Sequence, residues 1–388
     1  MDYPEVSEYE KRIERFKSRL SADFAFLSQS RDIYYFAGTI QPSILLVPKK
    51  GDPTLFFRMN FEKGKRETWI SDVQKGGVKE ACGLIREGAV IGLEKDVLPV
   101  AIYESILKRM GSGLETIDVT PAILLTRMIK SQYEIKMMEE ASKISNAGHE
   151  ALREALHDGI SEIELAAEVE YAMRRAGHEG LLHIRRWDGF LHYGMISSGE
   201  NLSIPSGYPG ATITGVGMSR AASYASSSRK IRKGDLVMAD IGGSFRGYHS
   251  DEARMFVVGK ANDLQIERYE ILVEIHRKAM AVMKPGCKVS EVYDAAFKVV
   301  EEYGCADWFM GYWHYGARYL GHGLGLEIDE LPLVAPGVDL PLEAGMTIAL
   351  EPKLIIPGWS GLDLEDTFQI TESGVNSITY SRRDLAEV

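Results

Sequence analysis

Apolar residues in the first third of the chain fall in short runs, "ADFAFLS", "SILLVP", "PTLFF" and "VIGLE", and the stretches between them, such as "VAIYESILKRM", repeat at helical spacing. Strands alternating with helices predict an α/β domain over residues 1–128, opened by an amphipathic segment from Tyr9 to Leu20. Within it, "SQSRDIYYFAGT" and "RMNFEKGKRE" read as solvated loops whose aromatic and basic residues could otherwise line a cleft. From Ser131 the spacing turns helical. Ile135, Met138, Ile144, Leu152 and Leu156 share one face, and Gly159 stands where a C-cap glycine ends such a run. Ser161, with Glu164 three residues on, forms the capping-box pattern of a second helix.

A repeat follows. "GISEIELAAEVEYAMRRAG" (159–177) and "GCKVSEVYDAAFKVVEEYG" (286–304) are equally long from glycine to glycine, and each precedes an acidic hairpin. In the first, "MADIGGSFRGYHSDEARMF", a symmetric turn centred between Phe245 and Arg246 sets Asp240 opposite Asp251. Facing side chains are about 4.5–5.5 Å apart and like charges there repel, so a cation is expected between them unless both point to water or the register differs. In the second, "MTIALEPKLIIPGWSGLDLEDTFQIT", a turn centred on Gly358 makes Glu351 and Glu365 equidistant. Two helix-plus-hairpin halves predict an internally duplicated α+β domain over 129–388, with its site on a pseudo-twofold axis.

Composition narrows the function. The 388 residues are 45% hydrophobic and 26% charged, which is ordinary for a globular chain and more than one domain usually holds. A net charge of −11 with no basic block argues against nucleic acid or an anionic membrane as partner. Cys82, Cys287 and Cys305 are odd in number and lack a C-x-x-C pair, so neither a disulfide framework nor a cysteine zinc site is indicated. The charged start "MDYPEVSEYEKRIERFKSRL" and the lack of any 18-residue apolar run point to the cytoplasm.

Between the hairpins, "YLGHGLGLEIDELP" places His322 between two glycines that let its backbone approach other elements closely. Four carboxylates and one imidazole form a hard, oxygen-rich set suited to Mn²⁺, Co²⁺ or Fe²⁺, with Zn²⁺ also open. Their summed charge suits two divalent ions per subunit, bridged by carboxylates.

The motifs "ADIGGSFRGYHSDEARMF", "GHGLGLEIDELP", "ALEP" and "LEDT", in this order and spacing, resemble those of the pita-bread metallopeptidases: methionine aminopeptidase, aminopeptidase P, prolidase and the metal-free creatinase. With "SRDIYYFAGT" and "TRMIKSQYEIKMMEEA" the resemblance spans nearly the whole chain and implies a creatinase-type N-terminal domain before the pita-bread domain. It implies that Asp240 holds one metal, His322 and Glu351 the other, and that Asp251 and Glu365 bridge both. A metal-bridging hydroxide would then attack the scissile carbonyl, and Glu351 would pass the proton to the leaving amine. The implied activity is that of a Xaa-Pro dipeptidase or aminopeptidase P-like exopeptidase, acting on small peptides as a homodimer.

Three positions depart from the resemblance. Ser206 stands where the proline-specific members carry a histidine, Asp329 where they carry a second histidine, and Asp363 where arginine is common. His192, Tyr193, His314 and Tyr315, with Trp313, are the candidates to replace those groups around substrate, against packing roles for each. Two other readings stay open: cleavage of a small non-peptide C–N or C–S bond, and a non-catalytic pita-bread binding module. The tract "TGVGMSRAASYASSSRK" (214–230) reads as a surface linker or as the mouth of the site.

Overall fold

The computed structural model describes residues 3–388 apart from 112, 187, 190, 208–211 and 313–315. Two units separate: Met1–Arg127 with Arg185–Asp188, and Met128–Ile184 with Gly189–Val388.

The first unit runs α1 (Val6–Arg19), β1 (Phe24–Leu27), α2 (Ser30–Ala37), β2 (Ser43–Pro48), β3 (Thr54–Phe57) and α3 (Phe61–Glu67). It continues with β4 (Asp72–Lys75), α4 (Val78–Gly83), β5 (Ile91–Leu93), α5 (Val100–Met110), β6 (Thr116–Asp118) and α6 (Thr120–Arg127). One mixed sheet of order β4-β3-β2-β1-β5-β6 carries them. Phe26, Leu46, Phe56, Ile91 and Leu93 pack with Ala81, Cys82 and Ile106 in its core. The tracts read as loops are instead helical. In α2 the Gln29 side chain accepts from the N–H groups of Arg31 and Asp32, and Gly38 ends the helix in the left-handed region. Asp32 is buried because Arg127 and Arg185 each reach it at 2.7 Å, an ionic pairing that sequence spacing does not show.

The second unit is two repeats. The first holds α7 (Gln132–Ala155), α8 (Glu162–Ala176), β7 (Met195–Ser198), β8 (Leu236–Phe245) and β9 (Tyr248–Val257). The other holds α9 (Asp263–Val282), α10 (Val289–Glu302), β10 (Gly321–Gly323), β11 (Glu330–Val334), β12 (Thr347–Leu350), β13 (Lys353–Ile356), β14 (Ser360–Asp363), β15 (Asp366–Ile370) and β16 (Val375–Ser377). A last strand, β17 (Ala386–Glu387), returns to pair with β9, giving sheets of order β17-β9-β8-β7 and β11-β10-β12-β15-β16 beside the β13-β14 ribbon. The repeat is visible in detail: Ser161 before α8 bridges Lys230, and Lys288 before α10 bridges Pro341, each on the approach to its hairpin. Helix α7 ends at Ala155, before Gly159, because Leu156 has already turned extended.

Alternation along β8 sorts its two faces. Val237, Ala239 and Ile241 join Ile144, Leu152, Leu165 and Val169 in a core against α7 and α8. Met238, Asp240 and Gly242 face the other way, and Lys353, Glu351 and His322 of the second repeat act on Asp240 by charge.

Candidate metal centre and active site

The first hairpin closes one residue later than its symmetry suggested. Arg246 and Gly247 form a two-residue turn with φ of 51° and 78°, the left-handed pair that the twist of a tight hairpin requires. Phe245 therefore pairs with Tyr248, Asp240 with Ala253, and Asp251 with Gly242. The two aspartates are diagonal neighbours on one face, with no side chain opposite Asp251.

In the second hairpin the ladder of β13 and β14 turns about Gly358 and pairs Lys353 with Asp363. The ladder of β12 and β15 continues the same register and pairs Leu350 with Asp366. Pro352 has no N–H to offer, and Glu351 and Glu365 occupy the gap between the ladders. His322 lies beside Ala349 in the neighbouring strand. Its flanking glycines permit this approach: a Cβ on Gly321 would meet the Ala349 oxygen at 2.3 Å, and one on Gly323 the Leu331 oxygen at 2.0 Å.

The side chains converge. Asp251, His322 and Glu365 each offer a donor atom within 4.8 Å of the others, and His322 Nε2 lies 3.4 Å from Glu351 Oε1 and 4.0 Å from Glu365 Oε1. Asp240 reaches the group by its register and by its charge, which acts on Asp251 and Glu365. His322 Nδ1 lies 3.1 Å from the Gly323 carbonyl, which can only accept, so Nδ1 donates in that contact and Nε2 is the nitrogen turned toward the acids. Glu351 Oε1 and Glu365 Oε1 are buried without a hydrogen-bond partner. Burial, then the neighbouring carboxylates, push the Asp251 and Glu365 carboxyls well above their ordinary range, and burial raises Asp240. Orphaned oxygens and crowded negative charge fit divalent cations, which would balance what protons otherwise must.

Behind these groups lie residues that motif reading passed over. The Thr367 hydroxyl donates to the Asp251 carbonyl at 2.8 Å and accepts its N–H at 3.0 Å, lacing the two repeats together. Arg254 donates to the Glu365 carbonyl at 2.6 Å and pairs with Glu252 and Asp366. Lys353 lies 2.9 Å from Glu351 Oε2 and 3.0 Å from Asp363 Oδ2. Charges inside apolar strands, as in "DEARMF" and "EPKLII", were the available signal.

The other candidate residues are dispersed. His192 is exposed, its ring 5.2 Å from that of Tyr224, while Tyr193 stacks on His178 at 4.3 Å and packs against the helix-side core. The Ser206 N–H donates to the Ile213 carbonyl, and Asp329 lies half-buried before β11. Asp363 is fully buried against Lys353, and burial, opposed by that lysine, raises it to about 7. Trp313, His314 and Tyr315 lie outside the described residues. The tract at 214–230 is anchored at both ends, where the buried Glu162 carboxylate gathers Ser198, Asn201 and Ser227, and it is exposed at 218–221 between them. Met195, directly across from Asp240, leads an apolar wall of Ile213, Tyr224 and Ala225, with Leu191 packed against it.

The duplicated fold with acids and an imidazole gathered between its halves defines a metallohydrolase of the pita-bread class. Residues 136–372 match the model of Metallopeptidase family M24 and residues 11–129 that of the Creatinase/Prolidase N-terminal domain, and the chain belongs to the M24 family. It is 30% identical to the Xaa-Pro dipeptidase of Pyrococcus furiosus over 97% of this chain and 98% of that protein. The prolidase structure from Pyrococcus horikoshii OT3 superposes with a TM-score of 0.80 at 30% identity, covering 98% of this chain and 99% of the other. The Xaa-Pro dipeptidase from Bacillus anthracis does so with a TM-score of 0.83 at 27% identity, covering 98% and 100%. Among the described residues, no helix is long and apolar enough to cross a membrane.

Proposed function

We propose that this chain is a metal-dependent Xaa-Pro dipeptidase whose ligands are Asp240, Asp251, His322, Glu351 and Glu365. The observation that carries the reading is the convergence of the orphaned Glu351 and Glu365 oxygens on His322 Nε2 in a buried acidic cluster. Lys353 cancels Asp363, leaving four carboxylates, a charge that two divalent cations balance. When bound, such ions supply a Lewis acid and lower the pKa of water toward neutrality. Glu351 accepts the proton of the attacking water at Oε1 and returns it to the departing prolyl nitrogen. The wall of Met195, Ile213 and Tyr224 beside Asp240 offers apolar surface to a prolyl ring or the residue before it. The names of the matched relatives support the same substrate class. The reading extends to Mn²⁺ as the working ion and to a cytoplasmic homodimer.

The test is elemental mass spectrometry on protein purified without chelator and equilibrated with Mn²⁺, Co²⁺ or Zn²⁺, followed by assay on Xaa-Pro and Xaa-Ala dipeptides. About two ions per chain, lost in Asp240→Ala, with preferential Xaa-Pro cleavage, is the expected result. No bound ion would overturn the metal centre, and bound ions without Xaa-Pro cleavage would turn the substrate toward a non-peptide C–N or C–S bond.

A further inference from the structure

Lys353 is a feature of this site that the ligand set does not require. Its side chain is buried to 1% exposure between two carboxylates, 2.9 Å from Glu351 Oε2 in the gap just before its strand and 3.0 Å from Asp363 Oδ2 across the ladder. A buried ion pair is weak evidence for stability, because removing both charges from water offsets much of their attraction. What the lysine does geometrically is more specific. A free carboxylate turns about its last bond and presents either oxygen, or both, to a cation. Here the ammonium engages Oε2 and leaves Oε1, without a hydrogen-bond partner and 3.4 Å from His322 Nε2, as the oxygen turned inward. The Glu351 N–H donates to Leu320 and the Met310 N–H to the Lys353 carbonyl, so both ends of the contact stand on fixed backbone.

We infer that Lys353 is a positioning residue that pins the Glu351 carboxylate by Oε2, holding Oε1 alone toward the metals and the substrate, and that Asp363 holds the lysine in place. The inference rests on the metal-centre reading above. It has two consequences of opposite sign. A positive charge beside a ligand weakens cation binding, and the orientation it imposes favours turnover. Removal of the lysine therefore tightens metal binding and slows the reaction, whereas a lysine that serves only to hold the fold together would alter neither except through stability.

Lys353→Met by itself strands Asp363 as a buried unpaired acid and can fail to fold. The informative comparison is Asp363→Asn, which keeps the Lys353–Glu351 contact, against the double variant Lys353→Met/Asp363→Asn, which loses it without stranding a charge. Each is titrated with Co²⁺ by calorimetry and by the visible absorption of the bound ion, then assayed for kcat and KM on an Xaa-Pro dipeptide. Relative to Asp363→Asn, the double variant is expected to bind Co²⁺ about tenfold more tightly, equivalent to ~1.4 kcal/mol. Its cobalt spectrum should change as Glu351 turns both oxygens inward, and kcat should fall with KM held. Equal affinities and superimposable spectra in the two variants would overturn the assignment even if kcat differs. Absence of Co²⁺ binding in the unaltered protein would instead reject the metal centre beneath it.

Discussion

Thr367→Val replaces one hydroxyl by a methyl group of equal size at a position with no solvent exposure. The hydroxyl makes two bonds to one residue, donating to the Asp251 carbonyl at 2.8 Å and accepting its N–H at 3.0 Å. No water can enter to replace them, so each backbone group left unpaired costs about 1–3 kcal/mol, and the pair sums to roughly 2–6 kcal/mol. The valine methyl restores the packing, which confines the loss to the polar contacts. At a urea slope of roughly 3 kcal/mol per M the midpoint falls by about 0.7–2 M, measured by circular dichroism on metal-free protein. Thr367→Ser keeps the hydroxyl and serves as the control. A Thr367→Val midpoint within roughly 0.2 M of the unaltered protein, or an equal fall in Thr367→Ser, would refute the assignment of the hydroxyl as the tie between the repeats.

Three further outcomes are expected. Glu351→Gln keeps the urea midpoint and lowers kcat by about 10²–10⁴, and unaltered turnover would remove Glu351 from the proton path. His276, 3.4 Å from Asp366, is held down to about 4 by burial, against the pull of that carboxylate. The folded state thus excludes a proton that the unfolded chain takes up: the contribution is complete above about pH 6.5 and lost as pH falls toward 4, by about 3 kcal/mol. Denaturation midpoints across that range should fall less steeply in His276→Gln, and an identical slope would contradict the sign. His192→Ala raises KM for an Xaa-Pro dipeptide with kcat held if the exposed ring meets substrate, and unchanged kinetics would return it to packing against Tyr224.

Much of this arrangement was legible along the chain because period and turn chemistry are local. The Gly-to-Gly helices, the turn at Gly358 and the glycines around His322 are each set by neighbours a few residues away, and all stand where spacing put them. The first hairpin shows how narrow the margin is. Centring the turn by symmetry missed the Arg-Gly pair that closes it, and one residue of shift turned facing aspartates into diagonal ones. The helix at Ser30–Ala37 was hidden for another reason, since its buried Asp32 is paired with Arg127 and Arg185, both remote in sequence.

By itself, then, the sequence determined the duplication and the acidic hairpins, both consequences of local period and residue chemistry. Tertiary structure alone decided which carboxylate oxygens lie free and which are held. Thr367 reaches Asp251, Arg254 reaches the Glu365 carbonyl, and Lys353 takes one oxygen of Glu351 while Asp363 answers it across a strand. Those pairings depend on distances between strands that no spacing along the chain encodes, and in a buried site of low polarisability such distances set the balance of charge.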